Sequence, residues 1–549
     1  MKKIPLGIDD YKTLKTDCYY VDKTVFISSI LKNPVGSVLL FTRPRRFGKT
    51  LALSMIDTFF DNKVENNKQY FSDTNIINDE NARKEMGEYP VIFLSFKDCH
   101  ALNYEEMVLY LNEQIAREFK RHSEIENSDN VDKNDVQLYH DFVANKYNHP
   151  NASSAIFALS KMLYDCHKKR VILLIDEYDT PIQSAFDKGF YDLAINYIKH
   201  LYGTALKGNN YLKYAICSGI TRVGKESIFS GLNNVVVNSV LDNEFGEFFG
   251  FTSEEVKELL RYYGHMEKYD ELKEYYNGYV FGENEVFNPW STLYYIRNNY
   301  EPECYWANTS SDSYILYLIE QNNDVMSSIF KLMNGEKITI KLLDSFTYGN
   351  EDKSNVLSLL VNAGYLTCKK TDSKPFYNVY LPNQETKELF SNMCLTMNSE
   401  TNIDDLLHLK EAFMTNNPFV VQDYLNHNLL KTLSYYDFSN EKNYQMMVLT
   451  MISLLFKDFY VKSEYNSGLG RCDIVALSKT HDFALLLEIK QTKNKASSTN
   501  LKQYAQTALK QAKEKEYYAD ILKDYQKVIV YGIAFHKNSS QVISEIIEK

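Results

Sequence analysis

Four stretches of this 549-residue chain have residue types and spacings that could do chemistry. The first is "RPRRFGKT", Arg43–Thr50, set between an apolar run at Val38–Phe41 and a stretch of helical spacing at Leu51–Phe60. It follows the phosphate-loop pattern G-x-x-x-x-G-K-[ST], except that Arg43 stands where the pattern begins with glycine. Backbone N–H groups at a helix N-terminus attract phosphate, and Gly48 lets the backbone approach it. Lys49 neutralises the phosphate charge and the Thr50 hydroxyl holds magnesium. A G-K-T triplet recurs by chance, so the reading needs partners. One is "VILLIDEYD", Val171–Asp179, an apolar strand ending in acids. Such a strand is buried, and its C-terminal end lies where α/β sheets bind ligands. Asp176 would hold the Mg²⁺ of the nucleotide and Glu177 would polarise the attacking water. An acid pair after a strand is otherwise a helix cap or a surface turn. The other partner is "YAICSGITRVGK", Tyr214–Lys225, a strand running into Ser218, Thr221 and Arg222. These residues either stand beside the γ-phosphate or form an ordinary strand-to-loop junction.

The fourth stretch is Ser463–Lys493, "SEYNSGLGRCDIVALSKTHDFALLLEIKQTK". Asp473 opens one apolar strand, a turn follows, and a second strand ends with Glu488 and Lys490. Residues two apart on a strand face the same way, so Glu488 and Lys490 share a side and register can bring Asp473 beside them. Two carboxylates then hold a divalent cation, while the lysine orients or activates water and stabilises negative charge. The plainer alternative is a solvated strand face, but the apolar residues packed around these charges favour a ligand.

The elements that must position these residues are legible as patterns. Apolar β-rich runs at Val38–Phe41, Val91–Phe96, Val171–Ile175 and Leu212–Cys217 alternate with helical stretches such as Tyr104–Phe119. That alternation predicts an α/β fold with a mostly parallel sheet covered on both faces. The polar segment 121–136 reads as a surface loop. From about Phe251 the pattern turns helical: "TSEEVKELLRYYG" opens with a Thr or Ser cap and first-turn acids, and ends at Gly264. Ser354–Phe390 reads as helix, strand, turn, strand, helix, which suits either a winged-helix unit or a helical bundle with a hairpin; no DNA contact is assigned to it.

Composition bounds the rest. With 44% apolar and 24% charged residues the chain has the make-up of a globular protein, and its length suits three or four domains. No apolar run approaches the ~18 residues needed to span a bilayer, so a cytoplasmic protein with no membrane partner is expected. Eight cysteines stand singly without a C-x-x-C, which points to neither disulfides nor zinc. The net charge of −11 argues against a uniformly basic nucleic-acid binder. The charge is segregated, however: residues 441–549 hold 16 Lys+Arg against 12 Asp+Glu, so the tail is the place for a polyanion.

Six short motifs, "DKTVFI" (Asp22–Ile27), "RPRRFGKT", "LLIDEYDTPI" (Leu173–Ile182), "FSGLNN" (Phe229–Asn234), "YYNGYVF" (Tyr275–Phe281) and "FNPWS" (Phe287–Ser291), occur in order. As a set they resemble the predicted AAA-ATPase family of bacteria, in which an Arg-Pro-Arg-Arg start replaces the leading glycine of the loop. The D-(x14)-E-x-K arrangement resembles the PD-(D/E)XK nuclease superfamily. That resemblance maps Asp473 and Glu488 to metal-binding acids, Lys490 to the catalytic lysine and Gln511 to a helix glutamine near the site. Glu441 and Glu464 are further candidate acids. It implies a P-loop ATPase domain over 1–250, a helical lid and winged-helix-like region over 251–440, and a restriction-endonuclease-like α/β domain over 441–549. The function implied is ATP binding and hydrolysis, with Mg²⁺, coupled to Mg²⁺-dependent cleavage of nucleic acid, DNA foremost, by a chain able to form a homo-oligomer. The alternative is a nucleotide-dependent interaction switch whose nuclease-like domain is inactive.

Overall fold

The apolar runs become strands in the computed structural model, which describes residues 2–549 apart from 145, 147–152, 224–227, 229–233, 307–312, 334, 397–402, 430–440, 457–458, 481 and 493–497. β1 (Ser37–Thr42), β2 (Val91–Ser95), β3 (Val171–Asp176) and β4 (Leu212–Gly219) hold the four expected runs, and β5 (Val235–Asn238) joins them. All five pair in parallel in the order β2-β3-β4-β1-β5. β1 and β3 are buried at every residue, as helices on both faces require. Leu111 and Ile115 of the helix Tyr104–Arg121, Leu159 and Leu163 of Ala155–His167, and Ile198 and Leu201 of Tyr191–Leu206 form one core with Leu173 and Ile175. Because β4 lies between β1 and β3, three strand ends, Thr42, Gly219 and Asp176, meet at one edge.

Segment 121–136 departs from the loop expected of it. A 3-10 turn at Ser123–Ile125 follows the long helix, and a new helix begins at Lys133. His122 and Ile125 are fully buried. The polar residues between them conceal widely spaced anchors, Ile125 and Val131, that tie the segment to the core.

The helical region opens with Ser253–Tyr263. Its capping box is reciprocal: Glu255 N donates to Thr252 Oγ1 at 3.4 Å, and Thr252 N to Glu255 Oε2 at 2.7 Å. Gly264, at φ 83°, ends the helix. Leu259 and Leu260 pack on Leu272, Tyr276 and Tyr295 of the helices Tyr269–Tyr276 and Pro289–Arg297. Between these helices β6 (Tyr279–Phe281) and β7 (Asn284–Val286) form a hairpin.

Further on, β8 (Ile338–Lys341), β9 (Thr367–Lys370) and β10 (Phe376–Tyr380) make an antiparallel sheet in the order β8-β10-β9. The helix Lys353–Ala363 leads into β9. This is a winged-helix-like unit, but the helix is buried from Asn355 to Ala363, so it has no free face for a DNA groove. Its terminal Gly364, at φ 88°, lies against Pro44 of the phosphate loop: an added Cβ would stand 2.8 Å from Pro44 Cβ.

The chain divides into two compact units, residues 1–315 with 338–386, and 316–337 with 387–549. The second contains β11 (Phe459–Ser467), β12 (Gly470–Ser478), β13 (Phe483–Gln491), β14 (Lys527–His536) and β15 (Ser539–Glu548), paired in chain order. β13 and β14 are parallel and joined through the helix Ser498–Glu514; the other pairs are antiparallel. The helix Glu441–Leu455 packs through Val448, Met451 and Ile452 on one face, against Ile474, Leu485 and Leu487. On the other face Ala512 and Tyr517 pack against Val475, Leu486 and Val530. Among the described residues no helix is long and apolar enough to cross a membrane.

Two candidate active sites

Gly48 takes up a left-handed φ of 85° and opens the helix Lys49–Phe60, which aims its first N–H groups at the space above the loop. Lys49 is 6% exposed, and its ammonium donates to the carbonyls of Arg43 (3.0 Å) and Pro44 (2.9 Å). Burial lowers the Lys49 pKa, opposed by Glu177, Asp176 and Asp179 nearby. Thr50 Oγ1 donates to Asp176 Oδ2 at 2.8 Å, and Ser218 Oγ to Asp176 Oδ1 at 2.5 Å. Asp176 is fully buried, and burial raises its pKa. Loop, β3 and β4 thus converge on one carboxylate. Glu177, the next residue, is held at φ 51°, a strained backbone for a non-glycine residue, and Thr180 Oγ1 donates to its Oε2 at 3.2 Å.

Above the loop lies a cavity of about 480 Å³. Lys49, Thr50 and Glu177 line its polar end, and Leu6, Ile8, Phe251, Leu259 and Leu293 its apolar wall. Arg46, at φ 67°, stacks its guanidinium 4.1 Å from the ring centroid of Trp290 and joins the loop to the helix Pro289–Arg297. A buried ammonium held by two carbonyls, beside a hydroxyl–carboxylate pair and an apolar pocket, fits a Mg²⁺–nucleotide.

The other residues near the loop divide. Asp179 Oδ2 accepts from Ile220 N and Thr221 N, both at 2.9 Å, so the aspartates of "DEYD" are tied to the end of β4 and to the two residues just after it. Ser218 and Thr221 are brought to these acids. Arg222 is half-buried and, among the described residues, does not line the cavity; Arg45 and Arg46 do. Arg43 points away from the cavity. Its Nη1 donates to the carbonyls of Thr42 (2.9 Å) and Asn238 (2.8 Å), with the guanidinium between Phe249 and Phe281. Of the motif "FSGLNN", residues 229–233 lie outside the described residues.

In the second unit, β12 and β13 pair from Leu477↔Ala484 to Ile474↔Leu487. Beyond that point the Asp473 side chain takes over: Oδ2 accepts from Ile489 N at 2.7 Å. Asp473, Glu488 and Lys490 therefore meet where the ladder ends. Lys490 Nζ donates to Glu488 Oε1 at 3.1 Å, and Gln511 Nε2 donates to the same oxygen. Glu488 is 1% exposed, and its Oε2 has no hydrogen-bond partner among the described residues. Both carboxylates have raised pKa values, chiefly through burial; the negative charge of Asp473 adds to the rise at Glu488.

The helix reaches Glu488 because its parallel neighbour in β14 is Gly532, where an added Cβ would stand 2.4 Å from the carbonyl of Ala505. Glu441 Oε2 accepts from Gln491 N at 2.9 Å, which fastens its helix to the end of β13. Glu464, at φ 50°, is exposed and pairs with Arg471 at 3.5 Å. Among the described residues no three His, Cys, Asp or Glu side chains are close enough to hold a metal alone. The two acids with the unpartnered Glu488 oxygen fit a hard divalent cation that keeps several waters.

Two contributors were not legible from sequence motifs: Gln445, which donates to Asp473 Oδ1 at 2.8 Å, and the Arg46–Trp290 stack. Gln445 follows Glu441 by one helical turn, and that spacing is the only trace it leaves in the sequence.

Comparison with known proteins agrees with this geometry. Residues 5–229 match the predicted AAA-ATPase family model, and residues 439–545 match the PD-(D/E)XK nuclease superfamily model. The chain is also similar to the "Uncharacterized protein in vnfD 5'region" of Azotobacter chroococcum mcd 1, at 24% identity, with 100% of this chain and 99% of that one covered. This chain therefore carries a predicted AAA-ATPase domain followed by a domain of the PD-(D/E)XK nuclease superfamily.

Proposed function

We propose that the first domain binds and hydrolyses ATP, and that the C-terminal domain cleaves a phosphodiester of nucleic acid, DNA foremost, under the control of the nucleotide. The observation that carries the nuclease half is the buried Glu488 Oε2, without a hydrogen-bond partner among the described residues, beside Asp473 and Lys490. Thr50 and Asp176 would hold Mg²⁺ in one domain and Asp473 and Glu488 in the other, where it would supply neutralisation of phosphate charge. Lys49 turns from the Arg43 and Pro44 carbonyls to the nucleotide's phosphates. Glu177 orients the attacking water and takes up its proton. In the C-terminal domain Lys490 orients the water that attacks phosphorus and stabilises charge on the phosphate. A homo-oligomer in which Arg222 reaches a neighbouring copy's nucleotide belongs to the same reading. Use of ATP and nucleic acid is in keeping with the cytoplasm.

Phosphate release and cutting of single- and double-stranded DNA and RNA test the two halves separately. The wild type should release phosphate, Lys49→Ala should neither bind nor hydrolyse ATP, and Glu177→Gln should bind without turnover. With Mg²⁺ the wild type should cut and Asp473→Ala should not. Tight ATP binding without phosphate release, together with no cutting of any substrate, would establish the switch instead.

A further inference from the structure

We propose that Gln445 is a positioning residue for Asp473, holding it from the helix Glu441–Leu455 in the orientation that binds a divalent cation. The proposal rests on the nuclease reading above. Glu441 ties the start of that helix to the end of β13, and Gln445, one turn on, reaches Asp473 Oδ1 at 2.8 Å. Asp473 Oδ2 is held by Ile489 N at 2.7 Å. One carboxylate is thus fixed from two directions, and both donors are neutral amides. Gln511 does the same for Glu488 from the opposite face of the sheet, where Lys490 adds a charge.

The neutrality is the point. A lysine or arginine against Asp473 would satisfy its oxygens but cancel the charge that attracts a cation. An amide satisfies the oxygens and leaves the charge. An outer partner that orients a ligating carboxylate typically changes metal affinity or activity by 10–100-fold. The structure assigns that part to Gln445, whose own side chain does not ligate.

Calorimetry of the full-length protein with Mn²⁺ or Mg²⁺ alone tests this without any substrate. Gln445→Met keeps the length and removes the donor, and should weaken cation uptake by about 10–100-fold. Its melting temperature in EDTA should stay near that of the wild type. In cutting assays kcat should fall while KM for nucleic acid stays the same. If Gln445→Met fails to fold, Gln445→Lys carries the test: it keeps a donor on Asp473 but brings a competing charge, and should weaken uptake at least tenfold. Wild-type uptake in either folded variant would overturn the proposal. Uptake by neither wild type nor variant would overturn the metal site, and this proposal with it.

Discussion

Arg43 occupies the place of a glycine in the phosphate loop without needing a glycine's backbone. The loop's left-handed residues are Arg46 and Gly48, so a side chain at 43 meets no φ penalty. That side chain is fully buried between Phe249 and Phe281, with hydrogen bonds to the ends of β1 and β5. It pins the loop to the sheet. Restoring the usual glycine should therefore lower stability by ~2–4 kcal/mol through lost packing and hydrogen bonds. Thermal melting of Arg43→Gly checks the loss, and calorimetry should show ATP binding no tighter than in the wild type. At the second site both carboxylates are raised, so the folded, metal-free domain keeps protons that the unfolded chain has released. Stability in EDTA should fall as pH rises from the usual carboxylate range of about 4 toward neutrality. Cation uptake should strengthen over the same interval, because both acids must ionise. Melting curves with and without Mg²⁺ across that range check both signs; a Mg²⁺-independent melting temperature at neutral pH would count against them.

At the scale of elements, the long apolar runs were the dependable guide. β1 and β3 are buried on both faces, so every residue had to be apolar or end at a site, and the runs stand out. β5 has four residues and was not legible, because so short a run matches a buried loop equally well. Segment 121–136 misled for the converse reason: its anchors are too far apart to show a period. Gly532 illustrates placement by absence of a side chain, since it lets the helix Ser498–Glu514 lie on β14 with Gln511 over Glu488. Its φ is ordinary, so substitution is resisted by sterics alone. Gly532→Ala should lift the helix, lower stability by ~1–3 kcal/mol and weaken cation uptake about tenfold. Chemical unfolding and calorimetry on the one variant measure both, and a destabilised protein with unchanged uptake would separate the helix from the site.

For the whole molecule, the two sites are built from different compact units, each from its own strands and helices. Each should therefore take up its ligand without the other's chemistry. Lys49→Ala should lose ATP binding and keep cation uptake at the C-terminal site; Asp473→Ala should do the reverse. Titration of both variants with ATP and with Mn²⁺ checks this. The same variants separate binding from control: if nucleotide governs cutting, ATP should change the cutting rate of the wild type and leave that of Lys49→Ala unmoved.

From the sequence alone came the parallel α/β class, the phosphate loop with its acid-tipped strand, and the Asp473, Glu488 and Lys490 grouping, because each is written in residues close along the chain or in an unbroken apolar run. Folding decided what joins distant segments: the order that sets β4 between β1 and β3, the turning of Arg43 into the sheet, the seat of Gly364 on Pro44, and the reach of Gln445 to Asp473. Such contacts depend on how layers pack and on which side chains fill the space between them. No local pattern encodes that, because a hydrogen bond between residues far apart in sequence leaves each of them looking like any other glutamine, glycine or arginine.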